Sequence, residues 1–237
     1  MALVFATKAG SNTAAVTPTV DTVGSTLFVM VLANLTTTPT PTDSEGNTWV
    51  PLTELTGSSR AGRLFYVINP ITSATHEFTG GDAFAGLVVA GWNNSAPSFD
   101  AENTSGGMTA GLTTDVGSIA PANATNLMVA GIFGDGYDGI GIDWGYTIAE
   151  TQQYAPFTSF SASLAYLEQS SATTQNPTWT VGANNAVIGG ASAAFVVNGG
   201  GGGGNPWHTL QQMRRRRSLR ERVNWKHNGL IWTPAAA

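Results

Sequence analysis

The chain has 237 residues and a net charge of −5, with 11% charged and 42% hydrophobic residues. That length suits one large domain or one domain with an appendage, and the hydrophobic share is enough for a core and argues against wholesale disorder. Cysteine is absent, which excludes disulfide frameworks, thiolate metal sites and cysteine nucleophiles. In chain order, strand patterns occur at 4–7, 26–33, 49–52, 63–68, 75–79, 84–92, 127–133, 145–151, 161–168, 178–181 and 186–197. Leu64, Tyr66 and Ile68 mark one alternating segment, whereas Leu27 to Leu32 is a continuous apolar run suited to a strand buried on both faces. Turn clusters separate them, among them Thr42 to Asn47, Gly57 to Ser59, Gly80 to Asp82 and Gly134 to Gly136. No 3.6-residue apolar period precedes Asn198. The expectation is an all-β fold, an antiparallel β-sandwich of jelly-roll or immunoglobulin-like type. No apolar run approaches the ~20 residues of a membrane span, and the first ten residues lack a basic, then apolar, secretion signal. Synthesis in the cytoplasm, with no membrane partner, is the expectation.

The net charge conceals a division. Residues 1–198 hold three cations (Lys8, Arg60, Arg63) against fourteen carboxylates, a balance of −11. Residues 199–237 hold seven cations against Glu221 alone, a balance of +6. Between the two lie six consecutive glycines, 199–204, a backbone that no packed element tolerates unaided and that reads as a hinge. Fully extended, they reach roughly 20 Å. The expected organisation is an acidic sandwich at 1–198, a polyglycine hinge at 199–204 and a basic docking arm at 205–237.

There is also a short internal echo. Gly24-Ser25-Thr26-Leu27-Phe28-Val29-Met30-Val31 is similar to Ala124-Thr125-Asn126-Leu127-Met128-Val129-Ala130-Gly131, each a polar turn leading into a buried strand. Composition alone makes two short strands look alike, so duplication and coincidence both stay open.

Four stretches carry a wider likeness: Gly24 to Val29; Thr42-Asp43-Ser44-Glu45-Gly46-Asn47-Thr48-Trp49; Leu64-Phe65-Tyr66 through Asn69-Pro70 to Thr75-His76-Glu77-Phe78-Thr79; and Asn176-Pro177-Thr178-Trp179-Thr180. Together they resemble a β-sandwich module of uncharacterised virion-associated proteins of tailed bacteriophages, seen also in some bacterial surface proteins. The likeness spans nearly all of 1–198 and stops before the arm. Its motifs are turn and strand signatures, so it implies a fold and a virion context and carries no site residues across.

Residues for chemistry are sparse. Of the three histidines, His76 sits in a strand pattern with Glu77 on the opposite face and reads as a structural side chain at a sheet surface; His208 and His227 lie in the arm without acidic partners. No nucleophile elbow and no His-Glu-x-x-His is present. The acid pairs Asp43 with Glu45 and Asp100 with Glu102 fall among loop-forming residues and read as solvated, so no acid and base are nominated for glycoside hydrolysis. The richest polar stretch runs from Gly134 to Trp144. Its Asp135, Asp138 and Asp143 would wrap a hard cation such as Ca²⁺, or would join Tyr137 and Trp144 in holding a glycan; the plainer reading is a glycine-rich loop whose aspartates hold its own turns. No resident metal and no cofactor is expected.

The arm carries the sharpest signal. Asn205 and Pro206 open it like a helix cap and first turn, and 209–223 is rich in helix formers, so the arm is expected to be partly helical. Arg214, Arg215, Arg216, Arg217, Arg220 and Arg222 present guanidinium groups, and Trp207, Trp225 and Trp232 are anchors of the kind that interfaces use. An acidic body would repel nucleic acid, so the arm is expected to dock on protein: another virion component, or identical subunits, with a trimer as one outcome. The sequence-based expectation is a non-enzymatic virion protein, a capsid decoration (cement) or head-fibre protein. The alternatives are a tail adaptor or fibre subunit, and a carbohydrate-binding module.

Overall fold

The structure, a computed structural model, describes residues 3–11, 16–81, 86–94, 97–104, 107–124, 126–135, 140–152, 160–182 and 187–197. The hinge and the arm, 199–237, with every arginine and tryptophan named in them, lie outside the described residues. What is described is all-β: seventeen strands, every pairing between them antiparallel, and no helix.

The first half contributes β1 (Val4–Ser11), β2 (Ser25–Asn34), β3 (Thr42–Asp43), β4 (Val50–Pro51), β5 (Leu55–Gly57), β6 (Arg60–Ile68), β7 (Phe78–Thr79) and β8 (Gly86–Asn93). Its main sheet has the order β1-β8-β2-β6-β4, with β5 also on β6. The second half contributes β9 (Pro97–Thr104), β10 (Thr109–Ala110), β11 (Thr113–Asp115), β12 (Asn126–Asp135), β13 (Ile140–Ile142), β14 (Thr147–Gln152), β15 (Phe160–Gln169), β16 (Thr178–Val181) and β17 (Val187–Val197). Its main sheet has the order β10-β17-β12-β15-β14, with β9 also on β17. Two small outer sheets, β3-β7 and β11-β16-β13, complete the layers.

The continuous apolar runs follow from this layering. In β2, Leu27, Val29, Val31 and Ala33 enter a core shared by both main sheets, while Phe28, Met30 and Leu32 pack outward against Trp49 and Phe78. In β12, Leu127, Val129 and Phe133 enter the shared core, and Met128, Ala130 and Ile132 pack outward against Tyr146, Trp179 and Val181. A strand with a layer on each side has no face left for polar residues, which is why neither run alternates. The shared core sets the two main sheets face to face, an arrangement consistent with a sandwich.

The echo in the sequence corresponds to a repeated architecture. In each half the main sheet places the first long strand beside the last, then the second, then the third: β1-β8-β2-β6 and β9-β17-β12-β15. Registers agree as well. Val29 pairs with Tyr66 and Val31 with Leu64; Val129 pairs with Tyr166 and Gly131 with Leu164. One irregularity recurs as well. β1 skips a residue between Phe5 and Thr7 opposite Trp92 and Gly91, and β9 skips one between Phe99 and Ala101 opposite Phe195 and Ala194. Order, register and this bulge recur together, so the described body, 3–197, is built as two similar β units facing each other.

Several expected strands move at their ends. Of 75–79 only Phe78–Thr79 is a strand, because His76 belongs to an isolated bridge with Val20. Of 49–52 only Val50–Pro51 pairs. β9 was not expected: it bears Ser98, Asp100, Glu102 and Asn103 and has only β17 as a neighbour, so polar residues are tolerated on an edge. Asp100 and Glu102, read as loop acids, therefore lie on a strand.

Candidate functional site

Three places hold the candidate residues. The first is His76. It is fully buried rather than at a sheet surface, so the expected surface position is corrected: the β3-β7 layer and the 16–22 segment cover it. Its Nδ1 lies 2.9 Å from the Thr22 hydroxyl, and its Nε2 lies 3.4 Å from Asp43 Oδ1. The ring stacks on Phe78 with centroids 4.3 Å apart. Asp43 itself accepts from the amides of Glu45 (3.0 Å) and Asn47 (3.1 Å), and from the indole N–H of Trp49 (2.9 Å). Threonine, histidine and aspartate in a row have the outline of a nucleophile-base-acid relay. Here Thr22 is 1% exposed and His76 0%, so no substrate reaches either. The hydroxyl is also tied to the backbone of Ser73, at 3.1 Å from both its oxygen and its amide. His76 Nε2 makes no hydrogen bond, so the row is not a connected relay; Asp43 pins the turn after β3 to the core through Trp49.

The second place is the stretch from Gly134 to Trp144. Tyr137 and Asp138 lie outside the described residues. The remaining aspartates take different partners. Asp135, at the end of β12, is in an ion pair with Arg60 Nε on β6, across the two main sheets. Asp143, by contrast, lies on the outer layer, where its Oδ1 accepts from the amide of Thr178 at 2.7 Å. Asp115, from β11, accepts from the hydroxyl of the same Thr178 at 2.7 Å. Two carboxylates therefore bracket one threonine on the outward face of the β11-β16-β13 sheet. Asp115 is a residue that the sequence reading did not single out. The signal available was the alternation Thr113-Thr114-Asp115, with only Thr114 buried.

Trp144 completes this corner. It is 54% exposed and adopts φ 60°, followed by Gly145 at φ 76°, in a turn closed by the Tyr146 amide on the Asp143 carbonyl at 3.4 Å. Glycine, asparagine and aspartate fill such left-handed positions readily; tryptophan does so at a cost of about 1–2 kcal/mol. Tyr146, just inside, is buried, and its phenol is held well above the usual range by burial first and by the Asp143 carboxylate second. In the first half Asp43, one hundred positions earlier, turns its carboxylate inward and is followed by Ser44, while Trp49, just before the residue paired with Tyr66, matches Tyr146, just before the residue paired with Tyr166, and both are buried. Among the described residues no group of three or more His, Asp or Glu side chains is placed to hold a metal ion.

The other acid pairs are dispersed into separate bonds. Asp100 accepts from the Ala122 amide at 2.7 Å, and Glu102 from the amide (3.0 Å) and hydroxyl (2.8 Å) of Thr53. Neither member faces the other's partner across a cleft.

The third place is the charge balance of the body. Every lysine and arginine among the described residues is ion-paired within it: Lys8 with Glu150 at 3.0 Å, Arg60 with Asp135, and Arg63 with Glu54 at 3.6 Å. The other described carboxylates of the body have no Lys or Arg partner among the described residues. The fold and these surfaces define a two-unit, antiparallel all-β protein with an acidic exterior. Comparison with protein families, characterised proteins and solved structures found no match.

Proposed function

We propose that this chain is a non-enzymatic structural protein of a phage virion, a capsid decoration (cement) or head-fibre protein. Its body would be a β-sandwich of jelly-roll or immunoglobulin-like kind displayed on the particle, with residues 205–237 as the arm that docks it. The observation that carries the reading is the division of charge. The body's three cations are all consumed in internal ion pairs, while seven of the chain's cations stand beyond six glycines in the company of Trp207, Trp225 and Trp232. A body that neutralises itself no further and an arm with the opposite sign suit a part made to be stapled into an assembly. Partners would be other virion proteins and identical subunits; nucleic acid, membrane, metal and cofactor have no part in this reading, and the protein would be made in the host cytoplasm and reside in the virion.

Burial of the Thr22-His76-Asp43 row supports the non-enzymatic side of the proposal. A tail adaptor or fibre subunit satisfies the same observations. A carbohydrate-binding module is favoured by one specific feature, the exposed Trp144 beside Asp143. The test is co-sedimentation of the full-length chain and of a 1–198 truncation with bare particles across a salt series. All three core clusters are built from residues between Leu3 and Phe195, so the truncation keeps its core. Salt-sensitive binding by the full-length chain alone is expected; equal binding by both would move the interface onto the body and overturn the role given to the arm.

A further inference from the structure

The chain carries both halves of a complementary pair. Its arm offers six arginines and three tryptophans at a balance of +6. Its body offers one corner where two carboxylates converge on Thr178 and an exposed tryptophan directly follows one of them in the chain. Asp115 and Asp143 each reach Thr178 at 2.7 Å, and Trp144, next to Asp143, is 54% exposed. On the same outward face stand Thr113, Thr180 and Gly141, which share a register row; a Cβ at Gly141 would meet nothing within 4 Å. The small residues leave the face open to a chain laid along it. All described cations are on β1 and β6, so this face has none among the described residues.

Carboxylates beside an aromatic face are what a guanidinium binds best. Its fork of N–H donors takes a carboxylate in two parallel hydrogen bonds, while its flat face stacks on an indole. In the first half the matching aspartate, Asp43, is turned inward and accepts from the Trp49 indole at 2.9 Å, and Ser44 stands where Trp144 follows Asp143. In the second half that position carries a half-exposed tryptophan held at a φ of 60°.

We propose that the outward face of the β11-β16-β13 sheet, through Asp115, Asp143 and Trp144, receives the arginine-bearing segment 205–237 of a second copy of this chain. The inference rests on reading that segment as a docking arm and names its receptor. A donor and a receptor on one chain make a head-to-tail contact, which closes into a ring when the rotation allows, and a trimer is one such ring.

The test uses the full-length chain. A photo-crosslinking benzoylphenylalanine is placed at position 144, and equal amounts of ¹⁴N- and ¹⁵N-labelled protein are mixed before irradiation. Crosslinks from 144 into 205–237 of the differently labelled chain are expected, and should disappear when Arg214 to Arg217 are replaced by glutamine or when salt is raised. In parallel, the self-association constant is measured by sedimentation for Trp144→Gly and for Asp115→Asn with Asp143→Asn. Each should weaken it by about tenfold or more. Trp144→Gly should melt no lower than the parent because glycine accepts the turn, so a weakened assembly is not mistaken for a damaged fold. A full-length chain that stays monomeric, self-association untouched by all three substitutions, or crosslinks confined to one label would overturn the proposal. So would retention of a glycan that needs Trp144 while self-association does not. Particle co-sedimentation by Trp144→Gly separates the two readings: if it persists while self-association is unaffected, the arm docks but its receptor lies elsewhere.

Discussion

Tyr66 stacks on Phe99 with ring centroids 5.2 Å apart and planes 3° from parallel, although the two belong to different main sheets. Tyr166 does the same on Phe5, at 5.2 Å and 2°. Each stack is closed edge-on by one more ring, Phe195 at 5.4 Å from Tyr66 and Trp92 at 5.8 Å from Tyr166. The two trios take one ring from each half's third strand and two from the other half's first and last strands. They are the same joint made twice, and they hold the two sheets together at opposite places.

Replacing either tyrosine by alanine should therefore cost a similar amount, about 2–4 kcal/mol, since each removes one stacked and one edge-on partner from the junction. Denaturant unfolding of Tyr66→Ala and Tyr166→Ala measures both. Losses that differ by more than about 2 kcal/mol would show that the equivalence is geometric only.

Gly62 lies under the ring of Phe133, on the opposite main sheet, and a Cβ there would fall inside that ring. The ring is buried in the shared core and has no room to step aside. Gly62→Ala should destabilise by about 2–3 kcal/mol, and the double substitution with Phe133→Leu should recover part of it. A fully additive pair would disprove the contact as the cause.

The buried Asp43 holds several donors at once, so its loss should be felt well beyond one hydrogen bond. Asp43→Ala leaves the Trp49 indole and the Glu45 and Asn47 amides without their acceptor and is expected to cost about 3–5 kcal/mol. The fluorescence of the buried tryptophan should shift to the red as the turn opens. Unchanged thermal stability would rule out the anchoring role.

Glu54 gives a sign for pH. Burial pushes its carboxyl up, but the hydroxyl and amide of Thr38 and the charge of Arg63 outweigh this and hold it below its ordinary value of 4.5. The folded form thus binds the proton less readily than the unfolded chain. Its contribution is complete above the unfolded value and is lost as pH falls through the folded one. Glu54→Gln should lower stability at neutral pH by roughly 1 kcal/mol and flatten the acid side of the stability curve below about pH 4.5. Glu168 runs the other way: burial raises its carboxyl, so Glu168→Gln should stabilise at neutral pH and lose that advantage in acid. Melting temperatures between about pH 3 and pH 7 check both.

The all-β class and the buried strands are local properties. A run such as Leu27 to Leu32 states its own burial, whatever surrounds it. The edge strand at Pro97–Thr104 was not legible, because an edge tolerates the same polar residues as a loop until its neighbour β17 is in place. The repeat was nearly hidden for a related reason: register and bulge are conserved in space, while the side chains that satisfy them differ, as Trp92 and Phe195 do. His76 shows the same limit, since a strand pattern does not say that a further layer will cover it. Asp135 and Asp143 stand eight positions apart and were read as one loop, yet one reaches across the main sheets to Arg60 and the other reaches outward to Thr178. Spacing along the chain governs which faces a segment can present. Which carboxylate meets a cation, and which is left beside an exposed indole, depends on packing between elements far apart in sequence, and that is settled only when the layers close.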